Sequence, residues 1–94
     1  MEAKAPGGKL VRLRLWRNGV RRVTLSGDFF IYPEDGIIRI EEALSGLRGD
    51  EALKDIEAAL NAAVEKYAIR LVGLDVPLIA LLFKGAADVE DPGP

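Results

Sequence analysis

The 94-residue chain contains neither cysteine nor histidine. The first absence excludes disulfides, thiolate metal sites, thiol nucleophiles and persulfide carriers, and with them a small sulfur-transfer scaffold. The second removes the commonest general base and metal ligand. Glutamine is missing too, Asn18 and Asn61 are the only side-chain amides, and eight of the thirteen cationic residues are arginine. That depletion of thermolabile side chains matches thermophile usage. The single methionine is Met1, and no apolar run reaches the ~18 residues of a membrane span. The opening MEAKAPGGK lacks the apolar centre of a signal peptide, so the expected location is cytoplasmic.

What remains is 49% hydrophobic and 30% charged, with a net charge of −2, a globular balance. A chain this short buries roughly 60–65% of its unfolded surface, enough for one core and too little for a deep private active site. We therefore expect a single domain over 1–94, divided into a flexible arm (1–8), a core (9–85) and a frayed, acidic Pro/Gly-rich tail (86–94). From Leu10 to Arg17 the residues alternate: Val11, Leu13 and Leu15 on one side, Arg12, Arg14 and Trp16 on the other, the period of a half-buried strand. Asn18-Gly19 is a hairpin signal, and a second strand runs from about Arg21 to Ser26 with Val23 and Leu25 inward and Arg22 and Thr24 outward.

Gly27-Asp28-Phe29-Phe30-Ile31-Tyr32 either extends that strand or forms a third. Phe29, Phe30 and Tyr32 cannot all face inward along one strand, so at least one is exposed or sits at a bend, and clustered aromatics at a loop mark either an interface or a satellite core. Pro33-Glu34-Asp35 has the chemistry of a helix first turn, and Ile37, Ile40, Ala43 and Leu44 give a stripe ending at Ser45-Gly46. Asp50 is the expected N-cap of a helix of about 17 residues with Leu53, Ile56, Leu60, Ala63, Val64 and Tyr67 on its apolar face. Residues 69–73 fit strand or helix end. Asp75 is positioned to cap a last helix that Gly85 would stop. The expected class is α+β: a two- or three-stranded antiparallel sheet built on the N-terminal hairpin, with about three helices packed on one face.

Chemistry-bearing patterns are few. Glu41-Glu42 is a carboxylate pair on a helix whose apolar stripe takes the other side, the pattern of a solvated face rather than an acid–base dyad. Ser26 has no activating base near it in sequence, and Ser26-Gly27 reads as turn chemistry. Pro6-Gly7-Gly8-Lys9 lacks P-loop spacing and precedes a strand, where no helix dipole helps a phosphate. It reads either as a flexible entry to the first strand or as an arm whose Lys9 reaches a partner's anionic ligand. Charge is segregated: residues 1–22 carry seven cations and one acid, residues 23–94 six cations and fourteen acids. The Arg/Trp face of the hairpin leaves a small nucleic-acid-binding module as the alternative function.

Several of these residues also carry a family pattern. Pro6-Gly7-Gly8-Lys9-Leu10-Val11, the alternating strand, Asn18-Gly19, then Leu25-Ser26-Gly27-Asp28-Phe29-Phe30, Pro33-Glu34 and the helix end Ala43-Leu44-Ser45-Gly46 resemble the C-terminal accessory domain of lipoate–protein ligases. The resemblance is to the archaeal form, in which that domain is a separate small protein, and it covers residues 6 to 84. It implies a non-catalytic subunit that joins a catalytic ligase subunit as a heterodimer. The complex uses ATP, Mg²⁺ and lipoate to make lipoyl-adenylate, then transfers the lipoyl group to a lysine of a lipoyl domain or of the glycine-cleavage H protein. The Arg-rich, triple-Gly lipoate-binding loop and the lysine setting of the catalytic subunit have no counterpart in this chain. The resemblance implies that Lys9, Gly27, Asp28, Phe29, Phe30 and Pro33 support adenylation or face the partner, with Phe29 or Phe30 as apolar anchor, and that no catalytic residue or metal ligand lies in this chain.

Overall fold

The computed structural model describes residues 2–4, 10–18 and 20–88, without the side chains of Lys4, Trp16, Arg17, Asn18, Val20, Arg21 and Asp88. Lys9, Gly19 and the expected outward side chain of Trp16 lie outside the described residues. The class is α+β, as expected. Strands β1 (Glu2–Lys4), β2 (Leu10–Asn18) and β3 (Val20–Gly27) form an antiparallel sheet in the order β1-β2-β3. Helices α1 (Gly36–Ser45), α2 (Leu53–Lys66) and α3 (Val76–Asp88) pack on it, and β4 (Phe30–Tyr32) and β5 (Arg70–Val72) make a separate two-stranded ribbon.

The period-2 pattern decides which face of the sheet is buried. Leu13 pairs with Leu25 and Leu15 with Val23, and these four with Val11 lie against the helices while Arg12, Arg14, Arg22 and Ser26 are exposed. α1 lies against β3, α3 against β2, and α2 packs between α1 and α3. Ile40 and Leu44, Ile56 and Leu60, and Ile79 and Phe83 complete the core from the three helices. Each such side chain contributes about 1.5–3 kcal/mol on leaving water. Glu41, expected on a solvated face, instead accepts the Leu25 N–H at 2.8 Å and so satisfies a donor on the sheet's edge strand.

Several boundaries differ from the sequence reading. Glu2–Lys4, expected as arm, pair with Arg12–Leu10 as β1. Pro33 does not open α1; its peptide with Tyr32 is cis, its carbonyl accepts the Gly36 N–H at 2.8 Å, and the helix begins at Gly36. Gly36 belongs there because a Cβ would lie 2.9 Å from Ile31 Cγ2 and 3.3 Å from Ile69 Cγ1.

Asp50 does not cap α2, which is 14 residues long and starts after Ala52 without a side-chain cap. Glu51 orders that link instead, its carboxylate accepting the Arg48 and Gly49 N–H groups, each at 2.7 Å. Asp75 does cap α3, its Oδ1 accepting the Leu78 N–H at 2.9 Å. Gly85 does not stop that helix. A glycine inside a helix costs about 1 kcal/mol against alanine, and Ala86, buried one residue later, gives the continuation something to pack.

Candidate partner-docking site

The segment after β3 is shaped by two glycines. Gly27 has φ +142° at the end of β3, and a Cβ there would overlap the Leu10 carbonyl oxygen and sit 3.0 Å from Val11 Cα. Asp28 donates its N–H to that same carbonyl at 2.9 Å, holding the bend onto the start of β2. Gly73, with φ +89°, closes the other side, where a Cβ would lie 3.2 Å from the Asp28 carbonyl oxygen and 3.3 Å from Phe29 Cα. The backbone thus passes between two positions at which a side chain would be obstructed.

Beyond the bend the chain leaves the main sheet. β4 pairs with β5 as Phe30↔Val72, Ile31↔Leu71 and Tyr32↔Arg70. Strand alternation sends Ile31 into the core at 8% exposure and turns its neighbours out, Phe30 at 64%, Tyr32 at 52% and, across from Phe30, Val72 at 40%. The Phe30 and Tyr32 rings stack with centroids 6.4 Å apart and planes 17° from parallel. Beside them lies a cavity of about 370 Å³ lined by Gly27, Asp28, Phe29, Phe30, Val72 and Gly73. Exposed Phe, Tyr and Arg side by side, next to a concavity, are the residue types of an interface core.

Four of the six singled-out residues therefore meet at one groove: Gly27, Asp28, Phe29 and Phe30. Pro33 stands at the far end of the ribbon, exposed, and Lys9 lies outside the described residues. Of the two phenylalanines, Phe29 is partly buried and packs against the core, so Phe30 is the ring that faces out. Tyr32, Val72 and Gly73 were not singled out as site residues. Tyr32 was visible as one of the clustered aromatics, while Val72 and Gly73 entered only through a pairing made far along the chain.

Comparison with known proteins bears on the same chain. A 36-residue stretch is 47% identical to the protein named lipoate-protein ligase A subunit 2 from Thermoplasma acidophilum, and the match spans 38% of this chain and 38% of the relative. The chain is similar to a lipoate–protein ligase subunit. No family model matches, and no solved structure matches.

Elsewhere the described surface offers ordered polar contacts rather than sunken reactive groups. No polar or charged residue is buried among the described residues, and no three acidic side chains there converge to hold a metal ion. Between α1 and α2 a second concavity, about 310 Å³, has Arg39 4.6 Å and Lys66 5.4 Å from the centre of the Tyr67 ring. These cation–π contacts hold Tyr67 at the end of α2.

Glu51 has a shifted acidity. Removal from water raises its pKa, but the N–H groups of Arg48, Glu51 itself and Gly49, with the Arg48 guanidinium, outweigh this and hold the carboxyl below the ordinary glutamate value. Lys84 Nζ also donates to the Glu51 carbonyl at 2.8 Å, tying the link to α3. A carboxyl more acidic in the folded than in the unfolded chain stabilises the fold above its unfolded pKa, and this contribution is lost as pH falls through the folded value. Glu51→Gln is therefore expected to lower the denaturant midpoint more at neutral pH than at an acid pH below the ordinary glutamate range, where the parent's carboxyl takes up its proton. An equal loss at both pH values would show that the charge plays no part.

Among the described residues, no helix is long and apolar enough to cross a membrane.

Proposed function

We propose that this chain is the non-catalytic accessory subunit of a two-protein lipoate–protein ligase, required beside a catalytic subunit for the ATP-dependent conversion of lipoate to lipoyl-adenylate. The observation that carries the reading is the 36-residue similarity at 47% identity to a protein named as subunit 2 of such a ligase. The geometry supports it through the exposed Phe30–Tyr32 pair and its adjoining groove, a surface built for contact with another protein. ATP, Mg²⁺ and lipoate are substrates and cofactor of the complex. This chain's role is to dock on the catalytic subunit through the β4–β5 ribbon and favour the conformation that activates lipoate. Transfer to a lysine of a lipoyl domain or of the glycine-cleavage H protein follows on the partner. Lys9 belongs to the same reading as a cation that approaches the partner's anionic ligand.

The deciding experiment measures lipoyl-adenylate from lipoate, ATP and Mg²⁺ with the cognate catalytic subunit, with and without this protein. Adenylate that requires both chains is the expected result. Equal adenylate from the catalytic subunit alone would overturn the accessory role.

A further inference from the structure

The β4–β5 ribbon turns one face to solvent, and on that face opposite charges stand at either end of an apolar centre. Phe30 pairs with Val72 and Tyr32 with Arg70, and residues directly opposite on antiparallel strands share a face. All four are exposed. Asp28, exposed as well, stands two residues before Phe30 as Tyr32 stands two after it, and it lines the groove together with Phe30 and Val72. The face therefore carries a carboxylate at one end, Phe30 and Val72 in the middle, and a phenol beside a guanidinium at the other end. Neither the Asp28 carboxylate nor the Arg70 guanidinium has an ion-pair partner among the described residues.

We propose that this face complements itself, and that two copies of the chain associate through their β4–β5 ribbons about a two-fold axis running across the strands at the Phe30–Val72 pair. Such an axis reverses the long direction of the ribbon and sets β4 over β4. The apolar centres then meet, and Asp28 of each copy faces Tyr32 and Arg70 of the other, so that every contact is made twice. The spacing matches because Asp28 and Tyr32 each lie two residues from Phe30, roughly 7 Å of extended chain. A guanidinium receives a carboxylate through two parallel N–H donors, which fixes the register as well as the pairing. Repulsion between the copies is small: each has a net charge of −2, and charges more than about 8–10 Å apart are screened at physiological salt. Glu34 and Asp35 lie beyond Pro33, where the chain turns into α1, outside the facing segments. Three exposed apolar side chains make a small interface, so the dimer is a weak one, with a dissociation constant on the order of 100 µM. The inference does not rest on the ligase reading; where both hold, the second copy and the catalytic subunit compete for one ribbon.

The test is analytical ultracentrifugation of the full chain alone, from about 10 µM to about 1 mM, a range that brackets the expected constant. The average mass is expected to rise from that of one chain towards that of two. Arg70→Asp sets carboxylates against each other and is expected to weaken association at least about tenfold, and Asp28→Arg does the same with guanidinium groups. Combining the two changes in one chain is expected to restore the parent's dimer, because each contact again joins an arginine to an aspartate. Circular dichroism establishes that each variant is folded; if a charge reversal unfolds the chain, Arg70→Gln and Asp28→Asn give the comparison with neutral side chains, each expected to weaken the dimer by a smaller factor. A parent that stays monomeric throughout the range, single variants that associate like the parent, or a folded double variant that remains as weak as the single ones would each overturn the proposal.

Discussion

Gly27→Ala is expected to destabilise the protein by about 3 kcal/mol, among the larger effects of a single methyl group. Two causes act at one atom. The backbone there has φ +142°, a conformation that costs an L-residue on the order of 1–3 kcal/mol. The added Cβ also meets the Leu10 carbonyl oxygen, which is the acceptor for the Asp28 N–H. Relief requires β3 to part from β2 at Val11↔Gly27, and Val11 is fully buried. For a domain of this size the loss corresponds to a fall in Tm of roughly 12–24 °C. Ser26→Ala, at the adjacent exposed position, is expected to stay within about 0.5 kcal/mol, so the two variants separate the backbone requirement from the side chain. A Gly27→Ala protein as stable as the parent would mean that the bend after β3 has another conformation.

The hairpin was legible because its signal is local. Val11, Leu13, Leu15, Val23 and Leu25 alternate with arginines, and a one-residue slip would bury Arg12 and Arg14. The helical stripes were legible for the same reason at Ile40, Leu44, Ile56 and Leu60, and Asp75 capped its helix as its position predicted. Ends were harder. Asp50 has the chemistry of an N-cap, but Glu51, one residue on, closes the link by taking two backbone N–H groups, and the helix starts later. Leu81 belongs to an apolar run yet is 56% exposed, because α3 buries the side that carries Ile79, Leu82 and Phe83.

The candidate site was half legible. Gly27, Asp28 and the aromatic run stand together in the chain, and the constraint that three rings cannot all face inward along one strand is met by Phe30 and Tyr32 turning out. The other wall of the groove, Val72 and Gly73, was not. Residues 69–73 have no local preference that separates strand from helix end. They become β5 through pairing with β4 and through the close approach of Ile31 and Ile69 around Gly36, contacts between segments far apart in sequence.

If the ribbon is where the catalytic subunit docks, replacing Phe30 and Tyr32 together with alanine is expected to weaken the complex at least about 100-fold. Phe30 is 64% exposed in the free chain, so its docking removes from water an area worth about 2–3 kcal/mol before the costs of association. Tyr32 adds a second ring stacked on the first, and because the rings touch, the double loss is not the sum of the single ones. The stability of the free chain is expected to fall by no more than about 1 kcal/mol, since only the ring stack and the cross-strand contacts are lost. Titrating the catalytic subunit with the variant separates docking from chemistry. The concentration needed for half-maximal lipoyl-adenylate formation is expected to rise, with the same maximum at saturation. Leu81→Ala, a comparably exposed apolar position on α3, is expected to leave the titration unchanged. A variant that docks like the parent would move the interface off the β4–β5 ribbon, whereas a lowered maximum with unaltered half-saturation would place these rings at the activation step itself.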